Sequence, residues 1–370
     1  MNYDSSLSVP ASLLVSGGAG FIGSNFVLKA VRSWNSLVGN FDKLTYAGNL
    51  DNLADIAASE KHVLIRGDLC ERNEIRSAFQ AVRPQAVIHF AAESHVDRSI
   101  HDPEEFVRTN VLGTFHLLDE ARNYWKSLAL SEQEKFRFLH VSTDEVYGSL
   151  EPGEPAFTES SPYAPNSPYS ASKAAADHMV RAYHKTFGLP TLTTNCSNNY
   201  GPFQFPEKLI PLMIHNALAG KALPVYGDGG NLRDWLYVDD HCNALAAVLV
   251  HGRIGETYNI GGGSEKSNLD VVRTTCRVLD ELRPGKFPSE SLITFVADRP
   301  GHDHRYAIDF TKIQRELGWH PQHSFESGLR RTIQWYLDHQ DWVQKVVDGS
   351  YQNWVDTNYA RRAGTGSLAH

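Results

Sequence analysis

Cysteine is scarce in this chain and methionine scarcer, four and three in 370 residues. The four, Cys70, Cys196, Cys242 and Cys276, lie far apart and form no Cys-x-x-Cys pair. That speaks against a disulfide framework or a thiolate metal site, and leaves free thiols suited to a reducing, cytoplasmic setting. No metal is expected. No apolar run is long enough to span a bilayer. The opening MNYDSSLSVPAS has neither a basic stretch nor a long apolar core, so no leader is expected there. An excess of positive charge is missing too. Lys+Arg total 35 against 43 Asp+Glu, a formal net charge of −8, which argues against a general nucleic-acid or membrane surface. An anionic ligand would need local Arg, Lys and helix N-termini. Internal repeats and low-complexity tracts are also absent.

The chain does have the bulk for a large core, being 41% hydrophobic and 21% charged, and its length exceeds a usual single domain. A short apolar strand is expected at 11–15, then the turn Ser16-Gly17-Gly18-Ala19-Gly20-Phe21-Ile22-Gly23, then a helix to about Ser33. Strand, Gly-rich turn and helix in that order make a dinucleotide site, with the pyrophosphate on the helix N-terminus. The spacing is GxxGxxG, a variant of the commoner GxGxxG. A second strand, 37–41, ends in Asp42, about where NAD sites read the adenosine ribose; a carboxylate there repels a 2′-phosphate and favours NAD over NADP. Further strands are expected at 63–65, 86–90 and 138–141, with a helix over 103–126. Strands alternating with helices make a doubly wound parallel sheet.

The apolar run 138–141 closes on Ser142-Thr143-Asp144-Glu145-Val146-Tyr147-Gly148. A parallel strand ending so delivers polar groups to the rim where open α/β sheets bind ligands. Two neighbouring carboxylates drive their pKa values apart, giving an acid beside a base. The same Thr-Asp-Glu also suits a helix N-cap. If both carboxylates are to reach one substrate, the strand must end before them, because adjacent strand residues face opposite ways. After a Pro- and Ser-rich loop, 149–168, Tyr169-Ser170-Ala171-Ser172-Lys173 opens a helix, with Tyr169 and Lys173 on one face. An ammonium there is expected to lower the phenol pKa and make Tyr169 a base. Lys208, Arg233 and Arg299 are cations that could converge on a second diphosphate.

Taken with SGGAGFIGSNFV, DKLTYAGNLDNL, HFAAESHVDRSI, VSTDEVYG, PYSASKAAADH, NCSNNYGPFQFPEKLIPL, RDWLYVDDH, GETYNIGGGSEKSN and DRPGHDHRYAID, the chain resembles the extended short-chain dehydrogenase/reductase family. Within that family it is most similar to the branch that dehydrates a nucleotide-bound glucose. The resemblance covers nearly the whole length, and its motifs are specific as a set. Ser16 stands where Thr is usual, and the tail after Tyr359 has no counterpart.

The resemblance implies a Rossmann-type doubly wound sheet with a smaller C-terminal α/β domain for the substrate. The NAD domain is expected over 1–196 with a returning segment at 232–261. The substrate domain takes 197–231 and 262–360, and 361–370 is a tail. Gly17, Gly20, Phe21, Ile22 and Gly23 are implied at the pyrophosphate, Asp42, Lys43, Leu44 and Thr45 at the ribose, and Asp68 and Leu69 at the adenine. Phe90, Ala91, Ala92 and Thr109 line the cofactor, and Asn199 lies near the nicotinamide. Tyr169 and Lys173 serve cofactor and catalysis alike. Ser94, Thr143, Asn198, Glu207, Lys208, Leu209, Pro224, Val225, Tyr226, Arg233, Asn268, Arg299 and His302 are similar to substrate contacts. Implied chemistry on dTDP-glucose is oxidation at C4, loss of water across C5 and C6, and hydride return to C6, with Thr143, Asp144, Glu145, Tyr169 and Lys173 as catalytic set. A homodimer built through the Phe106 and Tyr169 helices is implied as well. The rivals are a UDP-glucuronate decarboxylase, a 4-epimerase or a GDP-mannose dehydratase on the same scaffold, or a non-catalytic NAD-binding protein. The Asp-Glu pair speaks against the epimerase. The intact Tyr, Lys, Asp and Glu speak against the last.

Overall fold

The computed structural model describes residues 9–298 and 302–347. The expected tail 361–370 and Arg299 lie outside these residues. Six strands arrive in the first half: β1 Ser12–Ser16, β2 Leu37–Asp42, β3 His62–Arg66, β4 Ala86–His89, β5 Arg137–Thr143 and β6 Thr191–Cys196. Three more follow, β7 Asn198–Tyr200, β8 Leu223–Tyr226 and β9 Leu232–Tyr237, before β10 Thr257–Ile260. The main sheet runs β10-β6-β5-β4-β1-β2-β3, and every pair in it is parallel. Chain direction across the sheet reverses between β4 and β1, so the crevice for a ligand opens beyond the carboxyl ends of those strands. This is the doubly wound, Rossmann-type sheet anticipated above.

Alternation explains why the strands read as continuous apolar runs. Leu13, Val15, Ile88 and Leu139 face one side, packed against Phe26 and Val27 of helix Phe21–Ser33 and Leu245 and Val248 of helix Val238–His251. Leu14, Val87 and Phe138 face the other, against Phe79, Leu118 and Val180 of helices Arg72–Val82, Thr114–Ser127 and Pro168–Phe187. A parallel sheet covered on both faces carries mostly apolar side chains, interrupted here by buried polar ones such as Asn40, His89 and His140.

A smaller unit sits over the carboxyl rim. With β11 Glu265–Ser267 and β12 Ile293–Val296, it holds a three-stranded sheet β11-β9-β7 and a two-stranded sheet β12-β8. Tyr200, Ile210, Trp235, Val271, Leu329 and Tyr336 are among the buried residues of its core. The helix expected over 103–126 is not continuous. It is α-helical at Pro103–Phe106, opens into a π-helical turn at Val107–Gly113, and resumes at Thr114–Ser127. The wider turn lets buried Asn110 reach inward. Its Nδ2 donates to Glu93 O at 3.0 Å and Ser172 Oγ at 2.9 Å, and its Oδ1 accepts from Glu93 N at 2.8 Å. Such π-turns often accompany functional sites. This one ties the β4 rim to the Tyr169 helix.

Candidate active site

β5 stops at Thr143, and Asp144–Tyr147 turn into a short 3-10 helix. The Thr143 hydroxyl accepts from Glu145 N at 3.3 Å and lies 3.4 Å from Asp144 Oδ1. The triplet is therefore a helix cap and a cluster of polar groups at once. Because the strand has ended, Asp144 and Glu145 escape its opposed facing, and both line one cavity with Thr143, Tyr169 and Lys173. Asp144 is buried, and its Oδ2 has no hydrogen-bond partner. Burial, then the charges of Glu145 and Asp234, push its carboxyl well above the usual range, against the pull of Arg233. Asp144 is thus biased toward its proton-bearing form beside a second carboxylate.

The Tyr169 helix is anchored at both ends. Ser167 Oγ accepts from Ser170 N at 3.1 Å while Ser170 Oγ accepts from Ser167 N at 3.0 Å, Pro168 begins the helix, and Gly188 ends it at φ 75°. This reciprocal cap fixes the first turn, which carries Tyr169. The phenol differs from expectation. Burial, then the Glu145 charge, hold it well above its ordinary value, with a Thr143 hydrogen bond favouring the ionised form. The net shift is upward, opposite to the one the helical spacing suggested for a phenol beside Lys173. Lys173 Nζ donates to Val141 O at 2.9 Å, and burial lowers the Lys173 pKa against the charge of Asp177.

Asp177, one turn beyond Lys173, is a hub that sequence reasoning missed. Its Oδ1 lies 3.0 Å from His140 Nε2, and its Oδ2 accepts from Ser142 Oγ and Tyr163 OH, each at 2.9 Å. Asn195 Nδ2 donates to Thr143 O at 3.1 Å and reaches Asp177 Oδ2 at 3.5 Å. The helix of Tyr169 is thereby fastened to β5 and β6 directly beneath the carboxylates. The Lys173-to-Asp177 spacing was the available signal.

The first cavity brings together Gly17, Gly20, Phe21, Ile22, Gly23, Asp42, Lys43, Thr45, Asp68, Leu69, Phe90, Ala91, Ala92, Thr109 and Asn199, all foreseen. Leu44 is the exception. It does not line the cavity; at φ 58° its amide donates to Asp42 Oδ1 at 2.8 Å, so it shapes the Asp42 turn from behind. Asp42 Oδ2 accepts from Ala19 N at 2.8 Å, and burial raises its pKa against these two hydrogen bonds. Lys43 pairs with Asp68 at 2.9 Å.

The three glycines divide the labour. A Cβ on Gly17 would lie 2.6 Å from Ala91 N, and one on Gly23 2.1 Å from Gly17 O. Those two permit tight packing of turn, strand and helix. A Cβ on Gly20 would meet nothing closer than 3.4 Å, so that position is left bare toward the cavity. No side chain caps the helix that starts after it. A bare turn, an uncapped helix N-terminus and a carboxylate at the end of β2 fit NAD.

A second cavity meets the first at Ser94, Glu145, Asn198, Glu207 and Lys208. It gathers Leu209, Pro224, Val225, Tyr226, Arg233, Asn268 and His302 as foreseen, and adds His95, Asp97, Trp235 and Tyr306. Thr143 opens on the first cavity instead. Arg233 is buried; it donates to Asp303 O at 2.9 Å and lies 4.2 Å over the Tyr306 ring. Its burial between backbone carbonyls and a ring excludes an ordinary surface cation. Tyr306 lay within the string DRPGHDHRYAID, and no local pattern singled it out.

Residues 14–332 match the family model of GDP-mannose 4,6 dehydratase. The chain is 56% identical to a dTDP-glucose 4,6-dehydratase of Shigella flexneri, across 95% of this chain and 99% of that one. A Streptomyces venezuelae dTDP-glucose 4,6-dehydratase solved with NAD superposes with a TM-score of 0.82 at 47% identity, covering 90% of this chain and 99% of that one. An NAD complex of UDP-glucose 4-epimerase from Thermus thermophilus shares the architecture at TM-score 0.77, but only 29% of the sequence, over 88% and 99%.

Proposed function

The chain belongs to the dTDP-glucose 4,6-dehydratase family, and from that premise we propose that it converts dTDP-glucose to dTDP-4-keto-6-deoxyglucose with NAD as cofactor. The observation that carries the reading is the buried Asp144 beside Glu145, just outside the strand and in one cavity with Tyr169. An epimerase that only moves hydride at C4 has no use for such a pair.

The NAD site comprises the turn Gly17–Gly23 and the rim residues Asp42, Asp68, Leu69 and Thr109. When bound, NAD takes hydride from C4 and gives it back at C6. Tyr169 would accept the C4 hydroxyl proton in its ionised form, which the Thr143 hydrogen bond favours against burial and the Glu145 charge. The new ketone acidifies the proton at C5, which Glu145 removes. Asp144 gives its proton to the departing C6 hydroxyl, and water leaves. Protonation at C5 then accompanies reduction at C6. Each proton transfer of this kind contributes about 10²–10⁴-fold.

The nucleotide end takes the second cavity, where Lys208, Arg233 and Asn268 supply cationic and amide donors. The chain divides into an NAD domain at 1–196, completed by a segment within 232–261, and a substrate domain from 197–231 and 262 onward. Two copies join through the helices of Phe106 and Tyr169; Val107 and Leu112, which follow Phe106, are 56% and 42% exposed, apolar positions suited to a partner copy. Free thiols at all four cysteines suit the cytoplasm, and among the described residues no helix is long and apolar enough to cross a membrane.

The test is direct. Purified protein is incubated with dTDP-glucose and no added NAD, and the product is examined for a 4-keto-6-deoxy sugar. Turnover of UDP- or GDP-sugars with no product from dTDP-glucose would overturn the substrate assignment.

A further inference from the structure

Among the contacts at the seam between the cofactor cavity and the sugar cavity, two run from the main sheet's lobe to the segment before helix Leu209–Leu218. In the first, the Glu207 carboxylate accepts from Arg98 Nη2 at 3.0 Å and Nε at 3.3 Å. In the second, Lys208 Nζ donates to Ser94 O at 3.1 Å. The first is the more built. The Glu207 side chain is only 3% exposed. The Arg98 guanidinium also lies over the Tyr46 ring, 3.9 Å from its centroid, and that ring stands edge-on to Phe205 at 5.6 Å.

These residues come from distant parts of the chain. Tyr46 belongs to the loop after β2, Arg98 to helix Val96–His101, and Phe205 and Glu207 to the segment before helix Leu209–Leu218. Tyr46, Phe205 and Glu207 all line the cofactor cavity, and Glu207 lines the sugar cavity too. Arginine suits this place: its rigid fork holds a carboxylate in its plane while its face stacks on an aromatic ring. A carboxylate this buried is not an incidental surface partner, because taking away Arg98 would strip it of two hydrogen-bond donors and leave the neighbouring Lys208 charge to offset it.

We propose that Tyr46, Arg98 and Glu207 form a clasp that holds the cofactor in its cavity through the full reaction cycle. The inference rests on the NAD-dependent dehydration reading. That chemistry calls for retention: hydride leaves C4 and must return at C6, so a cofactor lost in between strands the sugar as a ketone. Glu207, expected against the substrate, is in this view first a fastener between lobes. Arg98, which no motif marked, is its partner.

The experiment measures how fast NAD leaves the full-length protein in the absence of sugar, by chasing bound NAD with excess fluorescent etheno-NAD. Arg98→Met and Glu207→Gln are each expected to release NAD at least about tenfold faster than wild type. The double variant should release it no faster than the faster single variant, since one clasp is broken in all three. Arg98→Lys, which keeps charge but loses the fork and the stacking plane, should fall between wild type and Arg98→Met. It also serves if Arg98→Met does not fold. Wild-type release rates in the single variants would overturn the clasp, as would independent, multiplying effects of the two sites. A wild-type protein that holds NAD but does not dehydrate dTDP-glucose would overturn the functional reading instead. The two failures are distinguishable because release is read without sugar.

Discussion

Lys173 directs its ammonium at the carbonyl oxygen of Val141, 2.9 Å away, and so pins the catalytic helix to the strand that ends in Thr143. Replacement by Met removes a buried charge next to Tyr169 and leaves that carbonyl without its donor. We expect Lys173→Met to slow C4 oxidation by about 10²–10⁴-fold. The measurement is the reduced nicotinamide formed in a single turnover with dTDP-glucose. A rate within a few-fold of wild type would remove Lys173 from the oxidation step.

Asp144→Asn separates the two halves of the reaction. The amide cannot give a proton to the C6 hydroxyl, so water loss should slow by about 10²–10⁴-fold while C4 oxidation continues. Reduced cofactor should therefore accumulate on mixing with substrate. Unimpaired water loss would sink the acid role.

The same variant carries a stability signature. Burial raises the Asp144 pKa in the folded chain. Below the unfolded carboxylate range both states are protonated and folding bears no penalty. As pH rises past that range the unfolded chain ionises while the folded one holds its proton, and stability is lost up to the folded pKa. Asn bears no such penalty. Asp144→Asn should melt higher than wild type at neutral pH, and its advantage should shrink toward pH ~4. Melting curves across pH check this, and an advantage that does not change with pH would refute it.

Glu145→Gln should abolish removal of the C5 proton. Product formed in deuterated water by wild type carries deuterium at C5. The variant should incorporate about 10²-fold less per unit time, or worse. Normal exchange would move the base elsewhere.

Asp177→Asn tests the hub beneath the site. Its carboxylate accepts from Ser142 and Tyr163 and meets His140, so we expect a loss of about 1–3 kcal/mol in stability. The Asp177 charge also opposes the lowering of the Lys173 pKa by burial. Without it Lys173 gives up its proton at lower pH, and the alkaline limb of kcat should shift downward. Destabilisation with an unmoved pH profile would reduce Asp177 to a structural role.

Much of this was legible in the chain because the signals are local. The strands announce themselves as apolar runs, and Gly17, Gly20 and Gly23 can be read from spacing alone. Thr143-Asp144-Glu145 posed a choice between a helix cap and an active site; at that position Thr143 caps the turn and the turn frees both carboxylates. What stayed hidden depends on contacts across the fold. Helical spacing put Lys173 near Tyr169 but could not show that burial and the Glu145 charge raise the phenol. The π-turn that swings Asn110 inward has no marker in the run Val107–Gly113. Arg98 and Glu207 meet across 109 positions of sequence, and nothing near either residue points to the other.

The seventh strand sets an order of assembly. β10 covers the outer edge of β6 through the register Thr257↔Thr193 to Ile260↔Cys196, and it arrives only after β7, β8 and β9 have been made. A fragment that stops at residue 196 would present β6 as a bare parallel edge, with Leu192 missing the cover of Leu245, Val248 and Tyr258 in the shared core. Open edges of that kind recruit other chains. During synthesis the cofactor lobe therefore cannot close behind the ribosome as an independent first half. The sheet's last edge is supplied by chain that comes after β7, β8 and β9, so a chain cut at 196 is expected to aggregate where the full chain does not.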